Sequence, residues 1–444
     1  MSSSLPTRTA PPPGAGWFAH RSVAGLAADL RAGRLTARDL VAAALAEIER
    51  WDPVVNAFVT VDDAGARRAA EQADRELADG VDRGPLHGIP IAVKDLIDVR
   101  GLPTTAGSRH FTGAVAGEDA DCVRRLRAAG AIVLGKTATH EIALGPTGDR
   151  AAGGPTRNPH LPGHMAGGSS SGSAAAVAAG MVPLALGTDT GGSVRVPAAL
   201  CGVVGLKPTH GALSLHGVLP LAPSLDTVGP MARTAADCRL LWTVLSGTRP
   251  VPGTAPLAWV APEPIHPTLP EVTAVVRAAL GDLAEVTEVT EVTVPEVAEL
   301  REAYPVLQGS EAFAVHAERF AAAPGLFGEE VRERLRAGSE IRGWEYVRAR
   351  ELRDQVRAHV LGLLRRHGFL ALPTVPLPAP PVDARTSAVG DVRAALLSLT
   401  SPWSVLGLPA LSVPAGLAGE LPVGLQLVGP PGSEHRLLTI AERL

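Results

Sequence analysis

From Ser22 to Arg50 apolar residues recur every three or four positions: Val23, Leu26 and Leu30, then Leu40, Val41, Leu45 and Ile48. That spacing predicts two amphipathic helices, the second capped at its N-terminus by Thr36. Another helix is expected through Ala64–Ala78. At Gly88 the pattern shortens to the apolar run Ile89–Val93, which reads as a strand. Asp119–Ala129 returns to a helical period, Gly130 stands where a C-terminal cap belongs, and Ala131–Leu134 reads as the next strand. Gly, Pro, Ser and Asn crowd residues 145–172, so that stretch is expected to be loop. Ser173–Ala179 reads as a helix of small residues and Val182–Leu186 as a strand. The section from 256 to 370 alternates again (Leu257–Val260, Thr273–Leu283, Val289–Val294) before a long polar-faced helix over Trp344–Arg366. Alternation over the whole length, without heptads or an interdomain linker, predicts one α/β/α layered domain over 17–444. The Pro- and Ser-rich residues 1–16 are expected to be a disordered lead-in.

Composition narrows the function. The chain has 444 residues, 46% of them hydrophobic, enough for a sizeable core. Only 19% are charged and the net charge is −4, so neither a nucleic acid nor a membrane is an expected partner. Cys122, Cys201 and Cys238 are odd in number and lack CxxC spacing, so no disulfide framework or metal site is expected. A reducing, cytoplasmic setting fits. The start of the chain lacks the charged-then-apolar layout of a signal peptide, and the longest apolar stretch, Ala174–Gly187, is interrupted by Gly180 and Pro183. Among 41 basic residues only Lys94, Lys136 and Lys207 are lysine. A desolvated lysine can act as a base, whereas arginine keeps its proton.

Three glycine-rich segments carry candidate chemistry. Gly130-Ala-Ile-Val-Leu-Gly-Lys-Thr137 matches the phosphate-binding pattern GxxxxGK[ST]. That pattern works as a loop between a strand and a helix, and here a helix precedes Gly130 and strand formers fill the interval. A nucleotide site at Gly130–Thr137 is therefore the remotest alternative. Gly168-Ser-Ser-Ser-Gly172 matches a nucleophile elbow centred on Ser170, but loop, not strand, leads into it. The third signal is Gly167-Gly-Ser-Ser-Ser-Gly-Ser173 followed by Gly187-Thr-Asp-Thr-Gly-Gly-Ser-Val-Arg-Val-Pro197. The two pieces enclose a helix and a strand, so both serine clusters can return to one sheet edge. Gly191 and Gly192 would let backbone N–H groups approach a carbonyl oxygen.

These segments resemble the amidase signature family, and the likeness spans most of the chain. It includes Gly84-Pro-Leu-His-Gly-Ile-Pro-Ile-Ala-Val-Lys-Asp95, Leu134-Gly-Lys-Thr137, Gly202-Val-Val-Gly-Leu-Lys-Pro-Thr209, Asp226-Thr-Val-Gly-Pro-Met231 and Gly407-Leu-Pro-Ala-Leu-Ser-Val-Pro414. Lys94 precedes Ser169 by 75 positions and Ser193 follows Ser169 by 24, which agrees with the family pattern. The resemblance implies a mixed β-sheet core covered by helices on both faces. It implies catalysis by Lys94 as base, Ser169 as proton relay after a cis peptide bond to Gly168, and Ser193 as nucleophile. Thr190, Gly191 and Gly192 are the implied oxyanion hole, with Gly168, Ser170 and Asp189 supporting it, and no metal or cofactor is implied. Asp95 and Asp98 would oppose the deprotonation of Lys94 unless they point away. Lys136 and Lys207 are expected to be structural, and His87 and His140 to shape the cleft.

Ser171, His164-Met-Ala166 and Ser404 depart from the usual pattern and are expected on the cleft wall. The expected function is that of a stand-alone amidase, a monomer or homodimer, acting on a small-molecule amide. The alternative is the glutaminase subunit of a tRNA-dependent amidotransferase. Glutamine carries an α-ammonium and an α-carboxylate, so its site needs an acid and an arginine. Arg334 can supply the arginine, but Leu397 stands where such subunits resemble one another in carrying an aspartate. Their tyrosine-rich stretch is replaced by Ile341-Arg-Gly-Trp-Glu-Tyr346.

Overall fold

A computed structural model describes residues 15–250, 256–284 and 289–444. The expected lead-in lies almost wholly outside the described residues. Thr36 caps the helix Ala37–Val55 in a capping box with Asp39, as the pattern predicts. Gly130 follows the helix Asp121–Ala128 with φ +78°, a conformation that only glycine adopts freely.

Thirteen strands occur among the described residues: β1 (Phe58–Val61), β2 (Pro90–Lys94), β3 (Ile132–Thr137), β4 (Leu184–Asp189), β5 (Val204–Lys207), β6 (Thr227–Ala232), β7 (Leu257–Val260), β8 (Val289–Val292), β9 (Phe369–Pro373), β10 (Thr386–Ser387), β11 (Gly390–Asp391), β12 (Ala410–Ala418) and β13 (Leu421–Val428). Eleven form one sheet in the order β1-β3-β2-β4-β6-β5-β12-β13-β9-β7-β8. The sheet is mixed: β2 runs parallel to β3 and β4, while β12 and β13 form an antiparallel hairpin.

The period of two along these strands divides the interior. Leu257 and Trp259, Phe369 and Ala371, and Leu425 and Leu427 pack into one core. Ala258 and Val260, Leu370 and Leu372, and Val428 pack into another. The first core is closed by helices such as Pro270–Ala284, the second by Leu300–Ala322 and Gly343–His367. Helices therefore cover both faces of the sheet, as expected. No described helix is long and apolar enough to cross a membrane.

Two helices of the middle section, Leu300–Ala322 and Glu329–Glu340, were not individually expected. Pro305 lies inside the first, where proline argues against a helix. The strand of the phosphate-loop lookalike is longer than expected. It runs through Gly135, Lys136 and Thr137, all buried and paired with β2. Those residues form a sheet ladder and cannot cradle phosphates.

Candidate active site

Parallel pairing of β2 between β3 and β4 brings Lys94, the last residue of β2, beside Thr188 near the end of β4. Lys94 is fully buried. Its Nζ donates to Ser169 Oγ at 2.6 Å and to Thr188 Oγ1 at 2.7 Å. Burial pulls the ammonium down to a pKa of about 7, against the opposing pull of Asp189 and Asp226. Asp95 takes no part in that balance because it turns away. It pairs with Lys136 at 3.0 Å and accepts from the Thr105 backbone N–H at 3.0 Å. Lys136 also donates to Pro103 O and Thr104 Oγ1, both at 2.9 Å, which completes a structural role.

Lys136→Ala is expected to leave the Asp95 carboxylate buried and unpaired, at a cost of about 3–5 kcal/mol. Chemical denaturation should show that loss, while calorimetry with ATP and Mg²⁺ should show no binding by the wild type. Lys207 is drawn down to about 7 as well, again by burial first and then by Arg195. Among the described residues it donates only to the Pro208 carbonyl, at 2.8 Å. Basicity alone therefore does not distinguish the two lysines; the contact with Ser169 does.

The peptide between Gly168 and Ser169 is cis. Ser170 fastens the two serine segments to each other: its N–H donates to Ser193 O at 3.0 Å, and its hydroxyl bonds both Thr188 N and Thr188 O at 3.2 Å. Such a saturated hydroxyl is scaffolding, which removes Ser170 as an elbow nucleophile. Ser193, itself buried, is thus tied through its carbonyl to the residue that follows Ser169. Its own hydroxyl makes no hydrogen bond among the described residues.

The segment from Asp189 to Ser193 leaves the sheet in a tight arc. A Cβ on Gly191 would lie 2.1 Å from Tyr304 Oη, and one on Gly192, at φ +145°, 2.3 Å from Thr400 Oγ1. Both positions require glycine. Gly191 O accepts from Thr400 Oγ1 and Gly192 O from Val196 N. No described residue accepts from the N–H groups of Gly191, Gly192 or Ser193, so these donors stay free for an incoming oxygen. Thr190 is tied by its hydroxyl to Asp226 at 2.5 Å.

Behind the arc, Asp189 and Arg195 form a fully buried bidentate pair, with both oxygen–nitrogen distances 3.0 Å. Burial would raise the Asp189 carboxyl, but Arg195 holds it below its usual range. Arg195 also reaches Thr400 O, Gln426 Oε1 and Ser404 Oγ. Ser404 therefore braces this pair and does not line the cleft wall as expected. Ser171 likewise bonds Thr156 and the Ala138 carbonyl inside the protein.

A cavity of about 530 Å³ adjoins the arc. Leu144, Tyr304, Gln308, Arg334, Arg393 and Leu397 are among its walls. It draws on the segments near 140–148, the middle section and 397–406, as expected, and also on 391–394. Ser193 is not a wall, but Tyr304 joins the two spaces through its contact with Gly191. His140 is buried beside them, its imidazole kept neutral by burial and by Arg393, Arg334, Arg150 and Lys94. His87 is not near the cleft: it packs on Gly130, 3.1 Å from Glu76, in a different part of the molecule.

Sequence reasoning missed Thr188, Tyr304, Asp226 and the arginine Arg393. Thr188 and Asp226 lie inside the motifs that carry the resemblance and were within reach. Tyr304 becomes a neighbour of Gly191, and Arg393 a wall of the cavity, only through the fold. No group of three or more described His, Cys, Asp or Glu residues has the arrangement of a metal site.

A sequence model of the family described as Amidase matches residues 39–438. A glutamyl-tRNA(Gln) amidotransferase subunit of Thermus thermophilus is 38% identical over 461 residues, covering 94% of this chain and 96% of that protein. A crystal structure of an amidase superposes with a TM-score of 0.90 at 39% identity, covering 95% of this chain and 99% of the other. The structure reported for a vestigial protein complex bearing on the origins of an s-triazine catabolic enzyme gives 0.91 at 34%, covering 96% and 98%. The first comparison corrects the expected partners. Relatives matched along nearly their whole length are subunits of an enzyme named for a transfer RNA. An expectation of a small-molecule amide alone, with no nucleic acid and no partner beyond a second copy, does not stand. Low net charge over a whole chain says little about one face of an assembly.

Proposed function

This chain belongs to the amidase family, and we propose that it hydrolyses a carboxamide through an acyl-enzyme on Ser193, as the amide-hydrolysing component of an amidotransferase. The observation that carries the chemistry is the buried Lys94 Nζ, 2.6 Å from Ser169 Oγ and poised to lose its proton near neutral pH. Neutral Lys94 takes the Ser169 proton while Ser169 takes that of Ser193, whose oxygen adds to the amide carbon. The N–H groups of Thr190, Gly191 and Gly192 receive the developing oxyanion. The proton returns through Ser169 to the nitrogen, the C–N bond breaks, and ammonia or an amine leaves. Water, deprotonated along the same path, then releases the carboxylic acid from Ser193. Gly168, Ser170 and Asp189 hold the geometry and stay out of the proton path.

The setting rests on the relatives, among which glutamyl-tRNA(Gln) amidotransferase subunits recur at 36–38% identity. A second reading, an amidase working alone, is favoured by Leu397, an apolar wall where an α-ammonium would need a carboxylate. Purified chain should be assayed on glutamine and on short aliphatic and aryl amides, with and without partner subunits. Glutamine turnover that rises at least about tenfold on adding partners supports the amidotransferase reading. High activity of the lone chain on simple amides, unchanged by partners, overturns it in favour of the second.

A further inference from the structure

Asp226 is a buried carboxylate with no part in the proton path from Ser193 to Lys94. Its place follows from the sheet. Antiparallel pairing of β4 with β6 ends on Asp189 opposite Thr227, so the next two residues outward, Thr190 and Asp226, meet where both chains leave the sheet. Thr190 Oγ1 donates to Asp226 Oδ1 at 2.5 Å, and the Thr227 hydroxyl donates to Asp189 O at 2.9 Å. Asp226 Oδ2 accepts from the N–H groups of Leu221 and Ala222, at 2.9 and 3.0 Å, which closes the turn 221–226. That turn is fixed from behind. Ser224 donates to Glu311 through its N–H at 2.8 Å and its hydroxyl at 2.5 Å, and Tyr346 Oη donates to Glu311 at 2.9 Å. Thr190 is therefore tied through one carboxylate to a turn held by the helices Leu300–Ala322 and Gly343–His367.

Asparagine or serine can close such a turn without burying a charge. Here the hydrogen-bond partners of the carboxylate are neutral, and among the described residues it forms no ion pair. Burial pushes it up to about 6 and Glu311 adds to the rise, so it is ionised at neutral pH. The charge reaches Lys94. Burial draws that ammonium down, while Asp189 and then Asp226 oppose the fall. Asp189 shares its charge with Arg195 at 3.0 Å, whereas Asp226 keeps its own. The other groups facing this pair are uncharged: His140, held neutral, and Tyr304, whose hydroxyl burial keeps protonated.

We propose that Asp226 is a positioning residue for catalysis: through Thr190 it holds the oxyanion arc in place, and through its charge it restrains the loss of the Lys94 proton. The proposal rests on the amide-hydrolase reading and adds a residue to it. Asp226 touches neither the substrate nor the reacting atoms. It joins the oxyanion side of the site to the base. Without this carboxylate less negative charge opposes the burial of Lys94, so the proton leaves at lower pH.

Four variants separate the two effects. Asp226→Asn, with its oxygen toward Leu221 and Ala222 and its amide toward Thr190, keeps the tie and removes the charge. Asp226→Ala removes both. Thr190→Val removes only the hydroxyl and leaves the turn its carboxylate, and Thr190→Ser restores the hydroxyl. The constants kcat and KM are measured across pH on the amide turned over fastest. Titration of Lys94 is followed by NMR of protein labelled at its three lysines, with Lys94→Met for assignment. Asp226→Ala and Thr190→Val should each lose roughly 30- to 300-fold in kcat with KM changed less than about threefold, because the oxyanion forms only after the ground state. Thr190→Ser should recover at least about tenfold of that loss. Asp226→Asn should keep at least about tenfold more kcat than Asp226→Ala, while its rising pH–rate limb and its Lys94 titration both move to lower pH by roughly 0.5 or more. Near-wild-type kcat in Thr190→Val, a loss confined to KM, or a Lys94 titration unmoved in Asp226→Asn overturns the proposal. If the wild type hydrolyses no amide yet the Lys94 titration moves in Asp226→Asn, the link between the two residues stands and the hydrolase reading falls.

Discussion

Ser193→Ala is expected to abolish amide turnover, with a loss in kcat on the order of a millionfold, as for the nucleophile of other serine hydrolases. The reason is covalent. Without the hydroxyl no acyl-enzyme forms, and the free N–H groups of the Gly191–Gly192 arc polarise a carbonyl that nothing attacks. Ser169→Ala should cost several orders of magnitude, because it breaks the link from Lys94 while leaving the nucleophile present. The double variant should be hardly worse than Ser193→Ala, since groups that act in one proton path lose their effect together. Single-turnover assays with mass spectrometry of the acyl adduct read both. More than a tenth of wild-type turnover in Ser193→Ala would remove this residue from the chemistry.

Lys94→Met should be nearly as damaging to catalysis, yet it should alter stability in an unusual direction. The wild-type rate should rise with pH through about 7, where Lys94 loses its proton. An unfolded chain holds that proton to about 10.4. Between those limits the unfolded state binds more protons than the folded one, so wild-type stability rises with pH across the window. Lys94→Met deletes this contribution and should flatten the pH dependence of Tm there. A residual slope remains from Lys207, whose ammonium is drawn down to the same range. A Tm profile for Lys94→Met as steep as wild type would show that Lys94 is charged in the folded protein at neutral pH.

How much of this was legible in the chain depends on how local each feature is. Ser169 and Ser193 stand out because glycines flank them, and Lys94 because it ends an apolar strand and is one of three lysines. The start of the helix Ala37–Val55 follows from period and cap, and the first part of the strand Ile132–Thr137 from its apolar run, though not its continuation past Leu134. The turning of Asp95 toward Lys136 could not be read, since it depends on which face of β2 meets the 103–105 segment. The helix Leu300–Ala322 was hidden by Pro305, which the surrounding core tolerates. Arg393 looked like one arginine among many. Only the packing of the helix Val392–Ser398 beside Leu144 makes it a cavity wall.

The Asp189–Arg195 brace behind the Gly191–Ser193 arc has a consequence for how the protein is made. Arg195 is anchored by Thr400 and Gln426, which follow it by 205 and 231 positions. A ribosome adding roughly 5–20 residues per second needs on the order of ten to fifty seconds to cover that interval. During that time the strands β1 to β6, neighbours at one end of the sheet, can already pair. The buried guanidinium meanwhile lacks its far-end acceptors and the arc from Gly191 to Ser193 lacks Thr400. A nascent chain therefore carries its lysine and both serines well before it carries a working site. If Lys94, Ser169 and Ser193 act as proposed, amide hydrolysis is expected only once β13 has closed onto the sheet and supplied Gln426 to Arg195.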